Sequence, residues 1–250
     1  MDQPLAAGQE VPATPGQAHY LGSVMRRGPG DAVVLFNGRD GEWQARIAGL
    51  RKDRCSLLPE TRSRPQEAPA ESRLLVAALK RDALEWVVEK ATELGIGLIQ
   101  PVLTRRSVTG KVNRDRLAAI AQEAAEQSER LTLPLVAEAA PLHAILAAWD
   151  GTPLLVGAER DGAPPLAQVV ARLRGTGALP PSPATTWAWL VGPEGGFERA
   201  ELDALRRHPF VSTVGLGPRI LRAETAAIAG LAVLQALAGD WTADPVRSIG

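Results

Sequence analysis

Leu190-Val191-Gly192-Pro193-Glu194-Gly195-Gly196-Phe197 and Gly215-Leu216-Gly217-Pro218-Arg219-Ile220-Leu221-Arg222-Ala223-Glu224-Thr225 are the stretches on which the reading of this 250-residue chain turns. Each continues a short apolar run (Trp187–Val191 and Val211–Leu216), and each leads into a helical pattern, Glu198–Arg207 and Glu224–Ala238. A strand, a Gly/Pro turn and a helix in that order describe the end of a strand in an open α/β sheet, where ligands bind beyond the carboxyl ends of strands. Glycines at such ends let backbone N–H and C=O groups approach a ligand with no Cβ in the way. Taken singly, each stretch is a tight connection between buried elements. Paired, and each joined to charged residues, they point to a site for one small molecule.

Working outward, Leu74–Leu79 is an unbroken apolar run of strand length. The spacing predicts a helix after it, capped by Asp82 with Glu85 completing a capping box. Leu84, Val87, Val88, Ala91 and Leu94 form its apolar stripe, and Gly95 stands where a helix stops. A strand over Ile96–Leu103, a helix over Arg114–Ser128 and a strand over Leu154–Val156 follow. Apolar strands that do not alternate, separated by helices, argue for a mostly parallel sheet covered on both faces.

Upstream the period is two. Val33-Val34-Leu35-Phe36 runs into the turn Asn37-Gly38-Arg39-Asp40-Gly41, and Trp43–Ile47 then alternates, which predicts a hairpin in a small β-barrel. Residues 59–71 carry Pro59, Pro65 and Pro69 with almost no large apolar side chain and read as an extended linker. Residues 175–186 read as a long surface loop. The expected organisation is therefore a barrel over 1–64, a linker over 59–71 and an α/β domain over 72–245.

Composition removes several classes. Lys+Arg and Asp+Glu are 28 each, so a uniformly cationic coat and an acidic tail are excluded, while a local basic face is not. A single cysteine, Cys55, rules out an internal disulfide framework and multi-cysteine metal sites and reads as a small packing residue, and His19, His143 and His208 are scattered; no metal is expected. No run of about 18 apolar residues crosses a bilayer, and Met1–Pro12 lacks the pattern of a secretion signal, so no membrane association and a cytoplasmic location are expected. Neither glycine loop is a P-loop, Gly215-Leu216-Gly217 lacks the third glycine of the dinucleotide fingerprint, and the E-x-G-x-G pattern of ordinary Rossmann methyltransferases is missing.

LVGPEGGF (190–197) with LGPRILRAETA (216–226) resembles the paired signature of the RsmE family, the 16S ribosomal RNA uracil-N3 methyltransferases of the SPOUT superfamily. HYLGSVMRRGPGD (19–31), EKATELGI (89–96) and AAEQSER (124–130) are similar to further family segments, in the family's order over roughly residues 5–240. The resemblance implies an N-terminal PUA-like β-barrel that binds RNA, then a SPOUT α/β domain threaded into a trefoil knot. It implies S-adenosylmethionine as cofactor, a homodimer with the site near its interface, and methyl transfer to N3 of one uridine in the decoding region of 16S rRNA in the 30S subunit.

On that resemblance, Leu190, Val191, Gly192, Pro193, Gly195 and Gly196 from the first loop and Leu216, Gly217, Ile220, Leu221, Ala223 and Thr225 from the second hold the cofactor, as apolar walls and backbone groups. Methyl transfer from a sulfonium releases a neutral thioether, so alignment supplies most of the catalysis at that end. Uracil N3 is the harder half, because it bears a proton and its pKa is well above neutral; the site must stabilise the anion or remove the proton. Arg222 is the first choice for stabilising that negative charge. Glu194 and Glu224 are the nearest carboxylates and stay open as base or as partners that orient the arginine.

RNA contact fits the local charge. Residues 19–64 hold nine Lys/Arg against five acids, a net of +4. Arg26, Arg27, Arg39 and Arg46 there, and Arg105 and Arg106 past a strand end, are the candidates. Trp86, Trp149, Trp187 and Trp189 read as core or interface anchors, and the nearly all-apolar last helix reads as buried. Two features depart from the family. The chain opens Met1-Asp2-Gln3-Pro4 where relatives carry a short strand with an arginine and aromatics, and Arg105 stands where many carry a glutamate. A non-catalytic RNA-binding or ribosome-assembly factor, and a SPOUT enzyme acting on another RNA base, are the alternative readings.

Overall fold

Side chains build the expected hairpin turn: Asn37 Oδ1 accepts from the amides of Arg39 (3.0 Å) and Asp40 (2.9 Å). Asp40 Oδ2 in turn accepts from the Leu5 amide (2.9 Å) and Asn37 Nδ2 (2.6 Å), which ties the first described residues to the turn and holds the Asp40 carboxyl below the usual range. The computed structural model describes residues 3–107, 111–158, 162–179 and 186–242; parts of the 175–186 loop and of the Met1–Pro4 opening fall outside them. The chain forms two units, Met1–Ala68 and Pro69–Gly250.

The smaller unit contains β1 (Val11–Pro12), α1 (Pro15–His19) continued by a π-helical turn at Tyr20–Val24, β2 (Ala32–Phe36), β3 (Glu42–Arg51) and β4 (Arg54–Arg64). The strands form one antiparallel sheet in the order β1-β4-β3-β2. α1 starts on a reciprocal cap between Thr14 and Gln17, with proline at the first turn. Alternation along β3 sends Ala45 and Ile47 into a core with Leu5, Val11, Ala18, Leu35, Cys55 and Leu57. The extended segment expected over 59–71 is strand up to Arg64. Pro59 is accommodated because it pairs with Ala45 beside a register shift, where a missing N–H donor is tolerated. The pairing continues because the half-buried Arg64 guanidinium lies 2.6 Å from Glu42 on β3.

The larger unit contains β5 (Arg73–Ala77), α2 (Arg81–Glu93), β6 (Leu98–Leu103), α3 (Arg114–Gln127), β7 (Leu135–Val136), β8 (Ala140–Pro141), α4 (Leu142–Ala147), β9 (Leu154–Gly157), α5 (Leu166–Gly175), β10 (Ala188–Val191), α6 (Arg199–Arg206), β11 (Val211–Val214) and α7 (Ala223–Ala238). Every pairing in its sheet is parallel, in the order β11-β9-β10-β5-β6-β7, with β8 also on β6. Leu74, Val76, Leu155, Trp189 and Val191 point to one face, against α2, α3, α5 and α7. Leu75, Leu154, Val156, Ala188 and Leu190 point to the other, against Leu142 and Leu146 of α4 and Leu205 of α6. Both faces are therefore covered, which is why the strands carry no polar alternation.

α2 begins two residues earlier than the spacing predicts. Lys80, extended at φ −55°, ψ 145°, is the N-cap, and Asp82 lies inside the first turn, where the helix dipole favours it. Glu85 does not reach back to the cap, because the Arg116 guanidinium of α3 holds it and keeps its carboxyl below the usual range. Trp187 and Trp189 are core, as expected, whereas Trp86 is 42% exposed.

A Cβ at Gly230 of α7 would clash with the Trp189 indole, and one at Gly157 would stand 3.2 Å from the ring's far edge. The indole thus lies between β9 and α7 and sets how closely α7 approaches the sheet. At the opposite end of the strands, Arg73 donates to Asp150 (2.6 Å) and lies over the Trp149 ring (5.4 Å). That hydrogen bond, followed by those from Thr152, holds the Asp150 carboxyl far below the ordinary value.

Two outcomes follow. Gly230→Leu is expected to lower unfolding stability by about 3 kcal/mol or to prevent folding, read by denaturant titration. Asp150 contributes stability above the ordinary aspartate pKa of about 4 and loses it as pH falls toward the depressed folded-state value. The acid-induced loss of stability below about pH 4 should therefore be shallower in Asp150→Asn than in wild type.

Candidate active site

β11, β9, β10 and β5 lie side by side, so the segments leaving their carboxyl ends share one edge of the sheet. They enclose a cavity of about 530 Å³. Lys80 and Ala83 come from the start of α2, Gly157 and Ala158 from the end of β9, Val191–Phe197 from the turn after β10, and Ile220–Glu224 with Ala226 from the segment after β11 and the first turn of α7. Arg106 beyond β6 and Leu202 of α6 complete the wall. After β5 the chain builds β6 and β7 on one side of it and β9, β10 and β11 on the other, so the cavity lies where strand order reverses.

The first glycine loop is held from both ends. The Gly196 amide donates to Pro193 O (2.8 Å), with Gly196 at φ +70°, a conformation glycine adopts without strain. A Cβ at Gly192 would stand 2.9 Å from the Phe197 ring, so glycine there lets the buried phenylalanine fold back under the turn. Arg106 Nη1 donates to Gly195 O (2.9 Å). Arg105 points elsewhere: its amide donates to Glu201 Oε1 (2.9 Å) and its guanidinium is 3.6 Å from Glu198, the residue that caps α6 in a reciprocal box with Glu201.

The second loop carries Gly217 at φ +105° and ends at Arg222, the N-cap of α7. The Arg222 carbonyl accepts from the Ala226 amide (2.8 Å), while its side chain is 84% exposed and 3.8 Å from the Glu224 carboxylate. Ile220, 72% exposed, sits on the rim.

Of the sequence-predicted residues, Val191, Gly192, Pro193, Glu194, Gly195, Gly196, Ile220, Leu221, Arg222, Ala223 and Glu224 line the cavity, as does Arg106. Leu190 does not; it is wholly buried on the opposite face of the sheet against Leu75 and Val102, because its neighbour Val191 takes the cavity side. Leu216 packs into the core, Gly217 shapes the loop without lining the cavity, and Thr225 faces outward from α7. The sequence reading missed Lys80, Ala83, Gly157, Ala158, Phe197, Leu202 and Ala226. Leu154-Leu155-Val156-Gly157 repeats the pattern of Leu190-Val191-Gly192, an apolar strand ending in glycine, and that repeat was the available signal. Lys80 carried a weaker one, a cation placed directly between a buried strand and a helix.

In the smaller unit, Arg26, Arg27 and Arg39 are exposed, Arg26 at φ +54°. Arg46 pairs with Glu60 (3.0 Å) and donates to Gly30 O. Among the described residues there is no grouping of three or more metal-ligating side chains, and no helix is long and apolar enough to cross a membrane.

Comparison with known proteins bears on both units. Residues 66–235 match the family described as RNA methyltransferase domain, and residues 14–60 match RNA methyltransferase PUA domain. The ribosomal RNA small subunit methyltransferase E of Rickettsia conorii is 34% identical over 225 residues, covering 90% of this chain and 88% of the relative. That of Synechocystis is 35% identical over 233 residues, covering 91% and 73%. The crystal structure of ribosomal RNA small subunit methyltransferase E from Neisseria gonorrhoeae bound to S-adenosyl methionine superposes with a TM-score of 0.82 at 27% identity, covering 96% of this chain and 97% of that one.

Removing the Arg106 guanidinium should loosen the first loop without unfolding the protein. Arg106→Ala is expected to speed amide hydrogen exchange at residues 194–196 by about tenfold, the loss of one hydrogen bond of roughly 1.4 kcal/mol, with core strands unchanged.

Proposed function

The chain belongs to the ribosomal RNA small subunit methyltransferase E family, and on that premise we propose that it methylates N3 of one uridine of 16S rRNA, using the cavity at the ends of β5, β9, β10 and β11. It is an S-adenosylmethionine-dependent RNA methyltransferase of the SPOUT superfamily, with a PUA domain ahead of its α/β domain. The observation that carries the reading is the convergence of residues 191–197 and 220–226 on a single cavity. Had these loops faced different spaces, no common pocket would exist to align donor and acceptor.

The residues present fit such a cofactor. A volume of about 530 Å³ is in the range of small-molecule sites. Val191, Leu221 and Ala226 offer apolar wall for an aromatic ring, and glycines at 157, 192, 195 and 196 leave backbone groups accessible at the surface of the cavity. Bound there, S-adenosylmethionine supplies an activated methyl group whose departure leaves a neutral thioether. The chain must therefore orient the reactants and favour the anionic form of the base. Arg222 takes that electrostatic role, as an exposed guanidinium on the cavity rim at the N-terminus of α7, where the helix dipole adds to it. Glu224, 3.8 Å from Arg222, orients it, and Glu194, which also lines the cavity, is the carboxylate available to accept the N3 proton.

Recognition of the RNA belongs to the same proposal. Arg26, Arg27, Arg39 and Arg46 make the smaller unit a phosphate-binding surface, and Arg106 is the RNA contact nearest the cavity. A homodimer, a trefoil-knotted threading around the cavity, the 30S subunit as substrate and a cytoplasmic location complete the reading.

The direct test is incubation with labelled S-adenosylmethionine and small subunits lacking the modification, followed by mapping of the methylated base; transfer to N3 of a single uridine is expected. Arg222→Ala should reduce transfer by about 100-fold, with calorimetric affinity for S-adenosylmethionine and the thermal midpoint close to wild type, since the side chain is exposed. Near-normal turnover would remove Arg222 from the catalytic role.

A further inference from the structure

Three cations line the cavity, and two of them are engaged. Arg106 is bound to the Gly195 carbonyl and Arg222 lies beside Glu224. The Lys80 carbonyl accepts from the Leu84 amide at 3.0 Å, but its ammonium has neither a hydrogen bond nor an ion pair among the described residues. Its position follows from how α2 and α7 pack. The two helices pack on each other, and at one end Gln235 Nε2 donates to the carbonyl of Leu94, the C-cap of α2. Counting back from that contact, 14 residues along α2 reach Lys80 and 13 along α7 reach Arg222. At 1.5 Å per residue these spans are nearly equal. Because the C-terminal parts meet at that hydrogen bond while both N-caps, Lys80 and Arg222, line the same cavity, the helices run parallel.

We propose that Lys80 is a second catalytic cation, which binds the uracil carbonyl oxygens together with Arg222 and stabilises the N3-deprotonated base during transfer. The inference rests on the methyltransferase reading above and adds a residue to that site. A uracil anion spreads its charge over N3 and both flanking carbonyl oxygens, so two cations on separate elements can each take one oxygen while N3 stays open to the methyl group. Two helix N-termini directed at the same space reinforce the effect. The step balances as written: the N3–H bond breaks and its proton leaves to solvent or to Glu194, the N3 pair forms the bond to the methyl carbon, and the carbon–sulfur pair stays on sulfur. The other charged groups facing this space are Arg106, Glu194, Arg222 and Glu224, with Arg81 and Asp82 next to Lys80 on α2.

The test uses the whole 250-residue chain, with Lys80→Met as the neutral variant of similar shape and Lys80→Gln as a second should the first fail to fold. Wild type must first transfer methyl to small subunits; without that transfer the methyltransferase reading itself fails. Given wild-type transfer, the neutral variant should be slower by about 100-fold at pH 7. Its deficit should shrink as pH rises toward the ionisation of free uracil, because hydroxide then supplies the anion the lysine no longer favours. Lys80→Arg should recover most of the rate. A readout independent of turnover is affinity for small-subunit RNA carrying 5-fluorouridine at the target, whose N3 ionises more readily. Wild type should bind it more tightly than unmodified RNA, and the neutral variant should lose that preference while binding S-adenosylmethionine within about twofold of wild type. A normal rate in the neutral variant, or a tenfold loss of S-adenosylmethionine affinity with an unchanged pH profile, would overturn the proposal, the latter placing Lys80 on the cofactor's carboxylate.

Discussion

The packing of the Trp189 indole between β9 and Gly230 of α7 is the contact on which the site's geometry depends. α7 can approach the sheet closely only because residue 230 has no side chain, and the ring is accepted on the strand side because β9 ends in Gly157. That approach fixes where the first turn of α7 stands relative to the turn after β10, and so the width of the cavity between Glu224 and Gly192. The indole N–H has no hydrogen-bond partner among the described residues. Burying such a donor opposes folding by about 1–3 kcal/mol, so the position keeps tryptophan for its volume. Leucine or phenylalanine there would satisfy polarity better and leave the space beside Gly230 unfilled.

Much of this arrangement was legible in the sequence, and the reasons are local. Apolar runs such as Leu74–Ala77 and Leu154–Val156 carry no polar alternation because helices cover both faces of the sheet, so the runs announce a parallel sheet directly. The glycine loops were legible because positive φ at Gly196 and Gly217, and the Phe197 ring against Gly192, exclude most other residues. Leu190 was misplaced because a run of consecutive apolar residues does not reveal which member faces which side; that depends on the pleat, and Val191 happens to hold the cavity side. The segment 59–64 was misread for a related reason. Its prolines and charges suit a linker, but Glu42 and the bulge near Ala45 make it strand, and both partners are distant in sequence.

Lys80 illustrates what neither periodicity nor motif reading reaches. Its place between a buried strand and a helix is only a weak mark, since a lysine at the start of a helix is ordinarily a solvated charge. Its significance comes from the parallel packing of α2 on α7, fixed by the Gln235–Leu94 hydrogen bond at the far end and by buried Val87, Val88, Ala227, Leu231 and Leu234 between. A contact some 20 Å away along two rigid helices thus determines which side chains meet at the cavity.

The charge layout also explains why the site is so exposed at its rim. Arg222 is 84% and Ile220 72% exposed, while Val191, Phe197, Ala223 and Ala226 on the inner wall are buried. An inner wall of buried apolar residues and an outer rim that is charged separate the two demands of the proposed reaction. The inner wall needs only shape and backbone groups to hold a cofactor. The rim must meet a polyanion, shed water from one base and favour that base's ionised form, and cations work strongly on an anion only once solvent is excluded around them. On this reading the incoming RNA, docking over Ile220 and the arginines, is itself what lowers the local dielectric. The site is then weakly electrostatic toward free uridine and strongly so toward uridine presented within a folded RNA, so selectivity and catalysis arise from the same event.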